Sequence, residues 1–385
     1  MKRESLQSDL APAGARASTG HRSALDGLRA LAIVGVMFVH AGAPGFRSGW
    51  IGVDLFFALS GFLITTLLAM ESSTTGTVAY VPFMARRLLR LMPAYFLYAA
   101  FVTAMIWVWP GSVASSTGGW TVTGLTAALW GYFINFVPQG GIWNGQDLTV
   151  HLWSLSVEQQ YYLVWPLVIL AMHRWPTRLL GIAAMLTAGA MLGFVLAPVG
   201  LYKDTMLFTR GFSLVLASTL ALWAYRHPAL LSSASLNLAL TTAGTLLLLG
   251  LFALPYAGWA ESRTRNVFIP LLVPIFAFWI ARLWHVPVNG LLRRFLCWAP
   301  MVYIGRVSYG IYLYHEAVRV ATWQLMKPEM ADWPSAFGFA ARLAVYMLIS
   351  FVLAALSYEL FEKKFLTLSS RFRPSRTAAT GASQG

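Results

Sequence analysis

The chain has 385 residues, of which 58% are hydrophobic and 11% charged, with a formal net charge of +14 and a mean hydropathy of +0.63. This composition excludes a soluble enzyme of one or two domains and marks a polytopic membrane protein. Surplus Lys and Arg are expected in loops that set orientation, so the charge calls for no nucleic-acid partner; the single Cys297 excludes an intramolecular disulfide and any multi-cysteine metal site.

Residues 1–24 are polar, carry Lys2, Arg3, Arg16 and Arg22, and lack an apolar core ending in a cleavage site. They read as a disordered cytoplasmic tail and not as a signal peptide. Leu25 to Ala43 is the first span, apolar enough to cross a bilayer yet bearing Asp26, Arg29 and His40. At about 100° per residue, Arg29 lies about 60° and His40 about 40° from Asp26, so the three share one helix face. His40 stands roughly 16 Å beyond Arg29 along the axis. Charge inside a bilayer costs roughly 2.5–3.5 kcal/mol on insertion scales, so this face should point into the bundle.

Ten spans follow from apolar length: 25–43, 50–70, 89–109, 150–172, 178–199, 205–225, 235–256, 266–284, 300–325 and 336–361. With the N-terminus inside, the basic loops at Arg86-Arg87-Arg90, His173-Arg174, Arg226 and Arg293-Arg294 fall on the cytoplasmic side, as does the basic C-terminal tail. The loop holding Arg263 and Arg265 falls outside, against the rule. Segment 119–138 is less apolar, and counting it as a span would invert every later loop. It is therefore expected to be re-entrant or surface-lying. The fold class is an all-α polytopic bundle of about ten transmembrane helices, a domain over 25–365, with 366–385 as a disordered basic tail.

Chemistry gathers in a few stretches. The second span brings Asp54 and Ser60 into the membrane, either as parts of a cavity wall or as packing and capping groups. Arg86, Arg87 and Arg90 fall on one side of a helix at the inner boundary, where rigid guanidinium forks suit phosphate or lipid headgroups. The fourth span carries Ser154, Glu158 and Tyr161 or Tyr162 at helical spacing. An unpaired Glu158 two turns into an apolar helix would be costly, so it needs a partner, and a pairing with His40 is geometrically permitted. The ninth span places Tyr309 and Tyr312 ahead of His315, with Glu316 and Arg319 within one turn. No GxxxxGK[ST] or HExxH stretch occurs and no GxSxG elbow, the GASQG at 381–385 lying in the polar tail, which removes support for ATP-driven transport, zinc proteolysis and serine hydrolysis by those routes.

Five stretches together resemble the membrane acyltransferase 3 family: LDGLRALAIVGVMFVH, WIGVDLFFALSGFLIT, FMARRLLRLMPAY, LWSLSVEQQYYLVWPL and IGRVSYGIYLYH. Gln159 stands where an acidic residue is common in the family, and Tyr161 where phenylalanine is. The resemblance implies transfer of an acyl group, usually acetyl, from cytoplasmic acyl-coenzyme A to a hydroxyl on a sugar-containing acceptor. It matches His40 and Glu158 to the essential histidine and glutamate, and Arg86, Arg87 and Arg90 to the coenzyme-binding arginines. Arg29, beside Asp26, would line the donor path. Ser60, Tyr161 and Tyr309 are candidate oxyanion donors, and Asp54, Ser154 and His315 supporting groups. No metal is expected. Many relatives carry an appended extracytoplasmic hydrolase-like domain, which this sequence lacks, so transfer is expected to finish in the membrane domain or on a separate partner.

Neutral histidine, with a reference pKa of about 6.5, suits removal of a hydroxyl proton near neutral pH. His40 is thus expected to act as the base, with Glu158 orienting it; direct transfer and an acyl-histidine relay are both open. Expected partners are the lipid bilayer, the sugar-containing acceptor and glycan-assembly proteins, in the inner membrane with both termini cytoplasmic. Two alternatives stand beside this: a proton-coupled transporter or flippase for a glycan intermediate, and acylation of a macrolide-type metabolite.

Overall fold

The computed structural model describes residues 19–108, 121–137, 148–198, 204–287, 289–326 and 335–372, and these are helical, with no strand among them. A backbone in hydrocarbon has no water to bond, and helices satisfy it segment by segment. The principal helices are α1 (Thr19–His40), α2 (Ile51–Thr75), α3 (Tyr80–Val108), α4 (Val122–Trp130), α5 (Leu152–Met172) and α6 (Pro176–Leu196). They continue with α7 (Phe212–Arg226), α8 (Ala234–Ala253), α9 (Glu261–His285), α10 (Ala299–Met326) and α11 (Ser335–Ser357). A π-turn at Tyr358–Glu362 leads into α12 (Lys363–Ser369).

Among the described residues, eight helical segments are long and apolar enough to cross a membrane. The other two of the ten expected spans coincide with α5 and α10, which are 21 and 28 residues long but more polar. They carry Glu158, Gln159 and Gln160, and Arg306, Glu316 and Arg319. The polar groups of the site are what lower their hydropathy.

Helix α4 has nine residues, about 14 Å of rise, against a hydrocarbon core of about 30 Å. It is docked on α3, where the Tyr95 hydroxyl donates to the Leu129 carbonyl at 2.7 Å and Trp130 donates to Thr103 at 3.0 Å. Helix direction agrees. Helix α1 meets α10 first at Asp26 against Gly305 and later at His40 against Glu316, so the two run the same way. An even number of crossings therefore separates their starts, and segment 119–138 is not one of them.

Helix α1 is described from Thr19, ahead of the expected span start at Leu25, with Ala24 and Leu25 buried. Residues 1–18 lie outside the described residues. At the other end α12 and the turn Ser370–Phe372 continue past 365, and the Arg86 guanidinium donates to the Phe372 carbonyl at 2.5 Å. Residues 373–385 lie outside the described residues.

Close backbone approach fixes the bundle where the site forms. A Cβ at Gly305 would stand 1.8 Å from the Asp26 carbonyl oxygen, and one at Gly61 2.1 Å from that of Leu214. Glycine at these points lets α10 touch α1 and α2 touch α7, the close packing that small residues permit between membrane helices.

Candidate active site

A cleft with about 730 Å³ of atom-free space, counting its open mouth, runs between α1, α2, α3, α5 and α10. Four arginines line it: Arg29 from α1, Arg87 and Arg90 from α3, and Arg306 from α10. Arg87 and Arg90 are three apart and so share a helix face. Arg29 bonds Asp26 at 2.5 Å, and Arg306 reaches the same carboxylate at 4.0 Å. Among the described residues neither Arg87 nor Arg90 has a carboxylate within ion-pair distance. Arg87 instead sits 5.7 Å from the ring centres of Phe83 and Tyr162.

Arg86 is not part of this group, contrary to the expected cluster of three. One residue before Arg87, it points some 100° away, onto the Phe372 carbonyl and toward Glu71 at 3.5 Å. Arg306 takes its place in the cleft.

Deeper in, Glu158 accepts hydrogen bonds from both Ser60 and Tyr162 on one carboxylate oxygen. Tyr162 follows Glu158 by one turn, so both face the cleft. Tyr161 faces elsewhere, with its hydroxyl 2.5 Å from Ser218 and its ring stacked on Trp165. Tyr309 lines the cleft while donating to the Leu91 carbonyl at 2.9 Å. At the far end, the Ser154 and Tyr312 hydroxyls lie 2.6 Å apart and each is within hydrogen-bond reach of the His151 carbonyl, so their two protons serve two of these three contacts at a time.

About one helical turn beyond Tyr312 stand His315 and Glu316. The expected pairing of His40 with Glu158 is not formed; Glu316 holds Nδ1 of His40. Helical periodicity reports faces within one helix and carries no information on which helix lies opposite. The same Glu316 oxygen lies 3.6 Å from His315 Nε2, and the other accepts from Arg319 at 2.7 and 2.9 Å. Glu316 is wholly buried, and these partners offset the cost of burying its charge. His315 Nδ1 lies 2.6 Å from the Tyr312 carbonyl and so carries a proton there. Its ring stands edge-on to His40 at 5.1 Å and to His151 at 5.0 Å.

With Nδ1 against a carboxylate, the tautomer that carries its proton on Nδ1 is favoured and the Nε2 lone pair is left, which no described residue engages. The side chain is 20% exposed, enough for an incoming group to reach it. The arrangement is that of a base oriented by a buried acid. The nitrogen and oxygen atoms of His40, His315 and Glu316 lie within 4.8 Å of one another, a spacing also found around metals. Two bonds from Arg319 occupy one Glu316 oxygen and set a guanidinium beside the cluster, which opposes a cation and favours the acid–base reading.

Asp54 lies apart from the cleft wall. It is fully buried against Arg210 at 2.8 Å and Ser213 at 3.0 Å, and it ties α2 to α7 and the turn before it. Sequence reasoning missed two site residues, Arg306 and the role of Glu316. The signal for both was present on α10, where Gly305, Ser308, Tyr309, Tyr312, Glu316 and Arg319 recur at helical spacing in a long span.

Comparison with known proteins adds a family. The profile of a family described as an acyltransferase domain, acyltransferase 3, matches residues 22–359. The peptidoglycan O-acetyltransferase OatA of Listeria monocytogenes is 29% identical over 364 residues, 90% of this chain and 56% of the relative. The putative peptidoglycan O-acetyltransferase YrhL of Bacillus subtilis is 28% identical over 360 residues, 89% of this chain and 54% of the relative. The O-acetyltransferase OatA of Staphylococcus aureus is 30% identical over 309 residues, 77% of this chain and 50% of the relative. The chain thus spans about half the length of these relatives. No solved structure matches it.

Proposed function

Because the chain belongs to the acyltransferase 3 family, we propose that it is a multi-pass membrane O-acyltransferase. It moves an acyl group, acetyl by default, from acyl-coenzyme A to a hydroxyl of a sugar-containing acceptor. The observation that carries this reading is the cleft: it opens among four arginines and ends one helical turn short of His40 and Glu316. Arginine forks suit phosphates, and the inner reach of the cleft is lined by the hydroxyls of Ser60, Ser154 and Tyr312, which suits a pantetheine arm.

A thioester is already activated, so the protein supplies orientation, a base and stabilisation of developing charge. His40 Nε2 takes the proton of the acceptor hydroxyl as its oxygen attacks the thioester carbonyl. Glu316 steadies the imidazolium that results, and Arg319 keeps that carboxylate in place. His40 then returns the proton to the leaving sulfur, which balances the exchange of a thioester for an ester. Ser154 and Tyr312, and Ser60 and Tyr162, are hydroxyls along the path that would turn from the His151 carbonyl and from Glu158 to donate to the oxyanion.

The charge rule sets the arginine end in the cytoplasm, beside the donor pool, with both termini inside and His40 toward the outer face. The names of the relatives favour a cell-wall glycan such as peptidoglycan as acceptor, delivered by glycan-assembly proteins. The test is thiol release from acetyl-coenzyme A by membranes containing the protein, with and without a cell-wall glycan fraction. Release that depends on glycan supports the enzyme. Glycan movement without thiol release would favour a transporter.

A further inference from the structure

The mouth of the cleft holds one arginine that neither the α3 run nor the α1 face accounts for. Gly305 lets α10 touch the α1 backbone at Asp26, and the next residue, Arg306, is thereby brought to the carboxylate that already holds Arg29. Two cations share one counter-charge on this wall. On the facing wall neither Arg87 nor Arg90 has a carboxylate within ion-pair distance among the described residues. Four guanidiniums line the cleft against two carboxylates, Asp26 beside them and Glu158, which leaves two positive charges in excess, and Arg29 repels both α3 arginines. Like charges gathered this way are stable with an anion between them.

The two cations on Asp26 are not equivalent. Arg29 is held at 2.5 Å and its side chain is 20% exposed, whereas Arg306 is held slackly at 4.0 Å and is 55% exposed. A slack, open guanidinium keeps its paired donors for a bidentate partner, and a phosphomonoester is the best fit to that fork.

We propose that Arg306, positioned by Gly305 and Asp26, reads the 3′-phosphate of the coenzyme, while Arg87 and Arg90 take its diphosphate. The inference rests on the acyl-coenzyme A reading above. The thioester must reach the Ser154 and Tyr312 end of the cleft, beside His40, so the nucleotide stays at the arginine end. There the phosphomonoester, which branches off the ribose, meets the most open arginine. The same fork would also suit the phosphate of a lipid headgroup, so the test separates the two sources.

The experiment measures KM for acetyl-coenzyme A and for acetyl-3′-dephospho-coenzyme A with wild type and Arg306→Ala, in phosphatidylcholine vesicles with and without added phosphatidylglycerol. Wild type is expected to show a KM about tenfold or more higher for the dephospho donor, the scale of a charge-assisted contact. Arg306→Ala is expected to raise KM for acetyl-coenzyme A to about the same value and leave the dephospho donor unchanged, which also shows that the variant is folded. Equal KM for the two donors in wild type would overturn the 3′-phosphate site and leave the donor reading intact. An Arg306→Ala effect that appears only with phosphatidylglycerol would overturn it in favour of a lipid contact. If neither thioester is consumed, the donor reading itself fails.

Discussion

Glu316 holds His40 through one carboxylate oxygen, and that oxygen also faces His315 Nε2 at 3.6 Å. Its second oxygen is taken twice by Arg319, so the acid is buried and fixed. The consequence for His40 is directional. Its Nδ1 is committed to the carboxylate, and Nε2 is left for substrate.

Replacing Glu316 by Gln keeps the size and removes the charge that steadies an imidazolium. Expected is a fall in kcat of about 10²-fold or more with KM for acetyl-coenzyme A little changed, since positioned base catalysis is worth roughly 10²–10⁴-fold. His40→Ala should cost at least as much, and the double variant no more than His40→Ala alone, because the two act as a unit. Additive losses in the double variant would contradict the pairing.

The cleft separates arginines that sequence spacing groups together. Arg87→Ala and Arg90→Ala should each raise KM for acetyl-coenzyme A about tenfold or more, with kcat largely kept, since each removes a charge-assisted contact. Arg86→Ala, whose side chain is engaged by Phe372 and Glu71, should leave KM within about twofold. Saturation curves on the three variants check this directly.

How much of this was legible in the sequence follows from what periodicity can carry. Apolar length gave the spans, and the shared face of Asp26, Arg29 and His40 gave the wall of α1 that turns inward. The charge rule also identified 119–138 as a non-crossing segment, and α4, at nine residues, agrees. Partner choice was not legible. Glu158 and Glu316 are both intramembrane acids, and only the contact of α1 with α10, set by Gly305 against Asp26, decides between them for His40. Adjacent residues were likewise ambiguous: Tyr161 and Tyr162, and Arg86 and Arg87, divide between the cleft and other surroundings by 100° of rotation that no composition signal reports.

Gly305→Ala tests the helix contact on which both ends of the site depend. Its Cβ would stand 1.8 Å from a backbone oxygen that cannot rotate away, so α10 must shift. Expected is a loss of about 1–3 kcal/mol in stability, the usual scale of overpacking, together with a higher KM for acetyl-coenzyme A. Gly181→Ala, where nothing lies within 4 Å, should be neutral or slightly stabilising in the same thermal unfolding assay.

Asp54→Ala would leave Arg210 buried without its counter-charge. Breaking one side of a buried pair typically costs about 3–5 kcal/mol, so the variant should unfold well below wild type in detergent. If folded protein is recovered at low temperature, its KM for acetyl-coenzyme A should match wild type, because Asp54 does not line the cleft.

The central claim is that His40 moves a proton so that an acyl group can pass from coenzyme A to a glycan. Membranes containing wild type or His40→Ala would be given acetyl-coenzyme A labelled in its acetyl group, and cell-wall glycan would be followed by mass spectrometry. The account requires a mass gain of one labelled acetyl with wild type and its loss in His40→Ala, with both proteins inserted at equal level. Equal acetylation by the two would contradict it.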